Sequence, residues 1–185
     1  MSRPLPVGRH RVQMDVQQLP AVAGGQGFEY KISLIHLRTR MKYSEIHPQC
    51  TSRIVADVLE RALVRLPPFF QVWTDNALIF TMKYSAHPER RTTFEQRIAA
   101  HGLLHTLIAK GSPWRNGFIE RSNRTDNDEF FHCFRFGSSE ERRYYFRLWE
   151  DYYNHGRPHQ SLDNQTPAHR FAADYPWHAA HLYLT

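Results

Sequence analysis

The patterned part of the chain opens at Arg11 with strict alternation. Val12, Met14 and Val16 point one way, and Gln13, Asp15 and Gln17 the other, which predicts a strand to about Leu19 with one buried side. A Gly-containing turn over 21–27 leads to a second alternation, Phe28, Tyr30, Ile32 and Leu34, running to about His36. Arg38-Thr39-Arg40 is a short connection, and residues 41–47 form a third, shorter strand. Consecutive strands joined by turns are expected to be antiparallel. The period then changes. Thr51 is placed to cap a helix whose apolar stripe is Val55, Leu59, Ala62 and Leu63, and Pro67-Pro68 stops it. Residues 69–74 read as a buried fourth strand, ending in Asp75-Asn76. Thr92 with Glu95 forms a capping box for a helix that ends before Gly102, and 103–108 form the fifth strand. Ser112 and Pro113 open a helix running to about residue 131. Ser138 with Glu141 makes another capping box, before a helix with Tyr145, Leu148, Trp149 and Tyr152 on one stripe. A short helix follows near 167–173.

The order of elements is βββαβαβαα. It predicts an α/β fold: a five-stranded mixed sheet flanked by helices, the first three strands antiparallel and the later ones joined by helical crossovers. Residues 1–10 are expected to be an extended basic arm, 11–154 the core, and 155–185 a C-terminal extension packed on that core.

Composition narrows the partner. With 41% hydrophobic residues the 185-residue chain can bury a real core. Its net charge of +6 and pI near 9.5 favour an anionic partner, nucleic acid first. Cys50 and Cys133 make no disulfide framework, so a reduced, cytoplasmic setting is expected. No apolar run reaches membrane-spanning length and the N-terminus lacks a signal-peptide core.

On the helix after 113, Asn116, Glu120, Arg124 and Asn127 share one polar face. If the first and fourth strands are neighbours, Asp15 and Asp75 sit side by side, and that helix can bring Glu120 across. Three gathered carboxylates repel one another unless cations hold them, and oxygen-only ligands select Mg²⁺ or Mn²⁺. Two such ions about 4 Å apart clamp the attacking and leaving oxygens of a phosphoryl transfer. A basic chain with this cluster points to phosphodiesters as substrate.

Four segments carry a resemblance: Gln13-Met-Asp-Val; Thr74-Asp-Asn-Ala-Leu-Ile-Phe80; Gly111-Ser-Pro-Trp-Arg-Asn-Gly-Phe-Ile-Glu-Arg-Ser-Asn-Arg-Thr125; and Tyr153-Asn-His-Gly-Arg-Pro-His-Gln-Ser-Leu162 followed by Thr166-Pro167. Over residues 8–173 the chain resembles the catalytic core of bacterial insertion-sequence transposases, relatives of retroviral integrases. The resemblance implies a ribonuclease H-like fold and an Asp-Asp-Glu triad, here Asp15, Asp75 and Glu120. It implies that these three hold two Mg²⁺ or Mn²⁺ ions and catalyse cleavage at transposon ends, then attack of the freed 3′-OH on target DNA. Asn116, Arg121 and Arg124 are the implied phosphate-contacting residues, Asn76 either steadies Asp75 or touches DNA, and Arg157 and His159 belong to a family motif whose role is structural first and DNA-contacting second. A homo-oligomer on DNA is implied as well.

The chain departs from the family pattern in several places. Ala77 stands where the family usually has Gly, and a positive φ there would strain the turn. The interval from Asp75 to Glu120 is longer than usual, which an enlarged loop at 83–91 accommodates. Asn127 occupies a position that is often basic, with Arg124 as its substitute. Residues 1–10 cannot supply the end-reading helix-turn-helix region such transposases carry, so the chain is expected to be a fragment or a second reading frame. The alternative function is an inactive transposase remnant acting only as a basic DNA-binding domain. A zinc site from His132, Cys133, His155 and His159 is disfavoured, since adjacent side chains diverge and no Cys-x-x-Cys exists. The Gly-x-Ser-x-Gly turn of a serine hydrolase and the Lys-Ser/Thr of a phosphate-binding loop are both absent.

Overall fold

The computed structural model describes residues 10–22, 25, 27–109 and 113–178. Strands β1 (Arg11–Leu19), β2 (Glu29–His36), β3 (Lys42–His47), β4 (Gln71–Thr74) and β5 (Leu104–Leu107) form one sheet in the order β3-β2-β1-β4-β5. β1 is antiparallel to β2 and β2 to β3, whereas β4 runs parallel to β1 and β5 to β4. The expected five-stranded mixed sheet is present, with β1 and β4 adjacent. Apart from His10, the N-terminal arm lies outside the described residues, as does Ser112. No helix among the described residues is long and apolar enough to cross a membrane.

Helices α1 (Ser52–Arg65), α2 (Thr93–Ala100) and α5 (Pro167–Asp174) cover one face of the sheet. There Val12, Met14, Ile32, Leu34 and Val72 pack against Val55, Val58, Leu59, Ala62, Phe94, Ile98, Ala168 and Phe171. The caps are as the sequence predicts. Thr51 accepts from the Ile54 N–H, and Thr92 and Glu95 bond reciprocally. Gly102, just past α2, has φ +63°, a conformation glycine adopts without a Cβ clash.

Helices α3 (Gly117–Asp126) and α4 (Ser139–Asp151) cover the opposite face, and here the structure corrects four expectations. First, the polar side of β1 is not solvated: Gln13 is 1% exposed, because α3 lies over it and satisfies its amide. Second, the helical stretch from Pro113 is not uniform. It begins as a 3₁₀ turn over Pro113–Asn116, is α-helical over Gly117–Asp126 and widens to a π turn over Asn127–Phe131. Third, the buried stripe of α4 is Arg142, Phe146 and Trp149, while Tyr145, Leu148 and Tyr152 face solvent. Arg142 is drawn in by Glu29 of β2, whose carboxylate accepts from its Nε at 2.9 Å, and by the Pro20 carbonyl at 2.7 Å. The cap of α4 also differs. Ser138 accepts from the Glu141 N–H, but the Glu141 carboxylate accepts from the Gly137 N–H.

Candidate active site

The polar residues of β1 and the residues of α3 meet in three rungs. Gln13 bridges the start of the helix: its Oε1 accepts from the Ile119 N–H at 2.9 Å and its Nε2 donates to the Arg115 carbonyl. Asp15 Oδ2 accepts from Asn123 Nδ2 at 2.8 Å. Gln17 Nε2 donates to Asn127 Oδ1 at 2.8 Å. Two strand residues advance about 7 Å and four helical residues about 6 Å. Residues 13, 15 and 17 can therefore meet 119, 123 and 127 in step. This matching sets the helix on the strand.

Asp75 follows the last residue of β4, next to β1. Its Oδ1 accepts from the Ala77 N–H at 2.9 Å, closing a turn. Ala77 is not among the described residues with positive φ, so the turn takes alanine without the strain expected from the family pattern. Asn76 Nδ2 donates to the Ile108 carbonyl at 2.8 Å, tying this turn to the end of β5. Burial and the neighbouring Asp75 charge push the Asp15 carboxyl up to about 6, although the Val16 backbone, Asn123 and Lys31 pull it down.

Glu120 lies one turn before Asn123, exposed, and makes no hydrogen bond or ion pair among the described residues. The structure thus brings Asp15 and Asp75 together and leaves Glu120 on the solvent flank. Among the described residues no group of three His, Cys, Asp or Glu side chains is close enough to hold a metal ion. Arg121 and Arg124 are exposed and Asn116 half-buried on the same helix. Arg157 is ion-paired to Glu129, with Nε 2.8 Å from Oε2. His159 is 9% exposed, with its ring 4.7 Å from that of Tyr153, and burial lowers it to about 4.

Behind the carboxylate pair lies a buried ionic cluster that the sequence did not reveal. Asp126 of α3 is fully buried and accepts from Lys31 at 2.6 Å, from Lys42, and from the Trp149 indole at 2.9 Å. Burial raises its carboxyl, but the Lys42 and Lys31 ammonium groups outweigh that and hold it below the usual range. The Lys42 ammonium also sits 3.8 Å from the Tyr153 ring centre. Glu150, pushed up to about 8 by burial, accepts from the Ser44 N–H at 2.9 Å. Asn154 bonds both the N–H and the C=O of Lys42, at 2.9 and 2.8 Å, and so closes part of the sheet edge. Asn123, at i+3 from Glu120 on α3, was not singled out from sequence, and Asp126, at i+6, was read there only as a carboxylate competing with Glu120 for the third place in the triad.

A mixed sheet in this order is the ribonuclease H-like architecture of integrase catalytic cores. Residues 101–167 match the family model described as the integrase core domain. The chain is 39% identical over 75 residues to the insertion element IS476 uncharacterized 39.2 kDa protein of Xanthomonas euvesicatoria, a match covering 40% of this chain and 21% of that relative. It spans only 21–31% of the length of the curated relatives it matches. The catalytic core domain of BIV integrase superposes with a TM-score of 0.65 at 16% identity, covering 96% of this chain and all of that one. The HTLV-2 integrase catalytic core domain in complex with magnesium does so with a TM-score of 0.61 at 14% identity, over 88% of this chain and 96% of that one.

Proposed function

We propose that this chain is the catalytic core of a DNA transposase, cleaving DNA at element ends and joining the freed 3′-OH to target DNA. The observation that carries this reading is the Asp15–Asp75 pair on adjacent parallel strands. Burial and the nearby Asp75 charge raise the pKa of the Asp15 carboxyl, and two carboxylates placed so that one feels the other form a site suited to a hard cation. Asp15, Asp75 and, from the neighbouring helix, Glu120 would hold two Mg²⁺ or Mn²⁺ ions, in keeping with the magnesium complex of the HTLV-2 core. Such ions supply charge neutralisation and a polarised phosphodiester.

The chain's own residues do the rest. Asn123 fixes one Asp15 oxygen and leaves the other for binding. Asn76 steadies the Asp75 turn through Ile108. Asn116, Arg121 and Arg124 line the exposed flank of α3 and contact phosphates, while Arg157 and His159 brace the π turn and the segment after α4. The protein then works in the cytoplasm, as a homo-oligomer on DNA. The exposed position of Glu120 favours one second reading, a remnant that binds DNA without cutting it.

The test is nicking and joining of a labelled duplex carrying the element's end, in Mg²⁺ or Mn²⁺. Wild type is expected to cut, and Asp75→Asn and Glu120→Gln to lose cutting. DNA affinity in Asp75→Asn should be equal or higher, because negative charge is removed. Undiminished cutting in either variant contradicts the triad. DNA binding with no cutting by wild type supports the remnant.

A further inference from the structure

The β2–β3 hairpin carries a feature that its role as a connection does not require. The turn is locked from within: Arg40 N–H donates to the His36 carbonyl at 2.8 Å, His36 N–H donates to the Met41 carbonyl at 2.8 Å, and the Thr39 hydroxyl lies 3.0 Å from His36 Nδ1. Arg40 closes this turn at φ +62°, in the left-handed region where glycine or asparagine is less strained. An arginine is held there instead. Its guanidinium carbon sits 3.9 Å from the centre of the Phe118 ring, on the first turn of α3. Its Nη1 is buried and has no hydrogen-bond partner among the described residues. A guanidinium nitrogen closed to water without an acceptor costs free energy, while Arg40 as a whole is half-buried, so the rest of its side chain stays open to a ligand.

The surroundings are cationic. Burial, against the opposing pull of Tyr153 and with help from the nearby Arg121 and Arg38 charges, lowers Arg40 to about 10. Arg38 is spent on Asp174, at 2.8 Å, but Arg121 is exposed and unpaired among the described residues. Phe118, 42% exposed, gives the cluster a flat apolar floor. The ligand this arrangement suits is a tetrahedral oxyanion, since a guanidinium fork presents parallel N–H donors to phosphate oxygens. Arg121 directly follows Glu120 on α3, so the cluster stands on the same helix as that candidate carboxylate.

We propose that Arg40 and Arg121, with Phe118 beneath Arg40, bind a backbone phosphate of DNA, making the β2–β3 hairpin a second point of DNA contact outside the carboxylate pair. This rests on the DNA-transposase reading for its ligand, though not for the oxyanion chemistry. The experiment measures affinity for a labelled duplex across a salt series, for wild type, Arg40→Asn, Arg121→Gln and the control Arg53→Gln. Asparagine tolerates the left-handed turn, so Arg40→Asn removes the guanidinium without distorting the hairpin. Arg53 is exposed on α1, which covers the opposite face of the sheet, and its loss removes the same charge elsewhere.

Arg40→Asn and Arg121→Gln are each expected to weaken binding about 5- to 10-fold near 0.1 M salt and to flatten the log–log salt slope by about 1, while Arg53→Gln leaves the slope unchanged. Equal slopes in Arg40→Asn and Arg53→Gln, with wild type binding DNA, overturn the hairpin contact and leave the transposase reading standing. A parallel titration with inorganic phosphate follows the side-chain Nε–H resonance of Arg40. A shift at Arg40 in a protein that binds no duplex keeps the oxyanion site and ends the DNA reading. No shift, with unchanged salt slopes, ends the proposal.

Discussion

The two faces of the sheet are built on opposite principles. One is an apolar core: β1, β2 and β4 present Val12, Met14, Ile32, Leu34 and Val72 to three helices with apolar stripes. The other buries Gln13, Glu29, Lys31, Lys42, Asp126 and Arg142, beside a smaller apolar cluster of Leu19, Ile46, Phe130 and Phe146. Across it, charges of alternating sign run from Asp75 and Asp15 through Lys31 and Asp126 to Lys42. Lys31 is felt by both Asp15 and Asp126. The apolar face holds the fold by removing area from water, which is tolerant of detail. The ionic face is held by geometry: each charge is tolerable only while its partner stands within bonding distance. That makes it the costlier face and also the one able to fix Asp15 and α3 in register.

The largest effects should separate the two faces. Asp126→Ala leaves two ammonium groups without a counter-charge and is expected to lower unfolding free energy by about 3–5 kcal/mol in urea denaturation. Leu59→Ala on the apolar face is expected to cost about 3 kcal/mol. The size alone does not distinguish them; rescue does. Lys31→Met, Lys42→Met and Asp126→Leu combined should recover most of the loss, because a packed apolar cluster can replace a buried ionic one. No second substitution of that kind restores a cavity at Leu59. Failure of the triple variant to recover would show that the ionic cluster contributes more than its own desolvation.

Acidity gives the next effect. Burial and the Asp75 charge push the Asp15 carboxyl up to about 6 in the folded chain, well above the usual carboxylate range. A carboxyl raised on folding stabilises the folded state while protonated, and that contribution is lost as pH climbs through the folded value. Stability should therefore fall between about pH 4 and 6 through this group. Asp15→Asn should remove that slope and gain about 2 kcal/mol at pH 7, with little change below pH 4. An unaltered pH profile would mean that Asp15 is not strained by burial and by Asp75.

Smaller changes test the rungs. Asn123→Ala is expected to cost about 1–2 kcal/mol and to move the Asp15 carboxyl higher still, since Asn123 bonds its ionised form. Carbon-13 titration of the Asp15 carboxyl reads this directly, and a downward or absent shift contradicts it. Glu129→Gln breaks the outlying pair with Arg157 and should change stability by no more than about 1 kcal/mol.

The apolar face was legible because its signals are local. Thr51, Thr92 and Glu95 mark helix starts within three residues, and Val12, Met14, Ile32 and Leu34 repeat at the strand period. Asp15 and Asp75 were legible as carboxylates, but their pairing hung on the condition that the first and fourth strands are neighbours, which the sheet order meets. The ionic face was not legible, because its partners are distant in sequence: Lys31 and Asp126, Glu29 and Arg142, Lys42 and Asn154. An arginine or lysine read alone belongs on the surface. That expectation put the wrong stripe of α4 inward and Gln13 outward. The exposed flank of α3, with Glu120, Arg121 and Arg124, read correctly as polar, but periodicity could not say that Asn123, not Glu120, reaches Asp15.

On the proposed function, the ionic face serves to present the Asp15–Asp75 pair to a divalent cation. Mn²⁺ binding to the folded chain at pH 7.5, followed by calorimetry, tests it without any need for turnover. Wild type is expected to bind with heat that disappears in Asp15→Asn and in Asp75→Asn, while Glu129→Gln binds as wild type does. Equal Mn²⁺ binding in wild type and Asp15→Asn would contradict the claim and leave the pair a structural feature of the sheet.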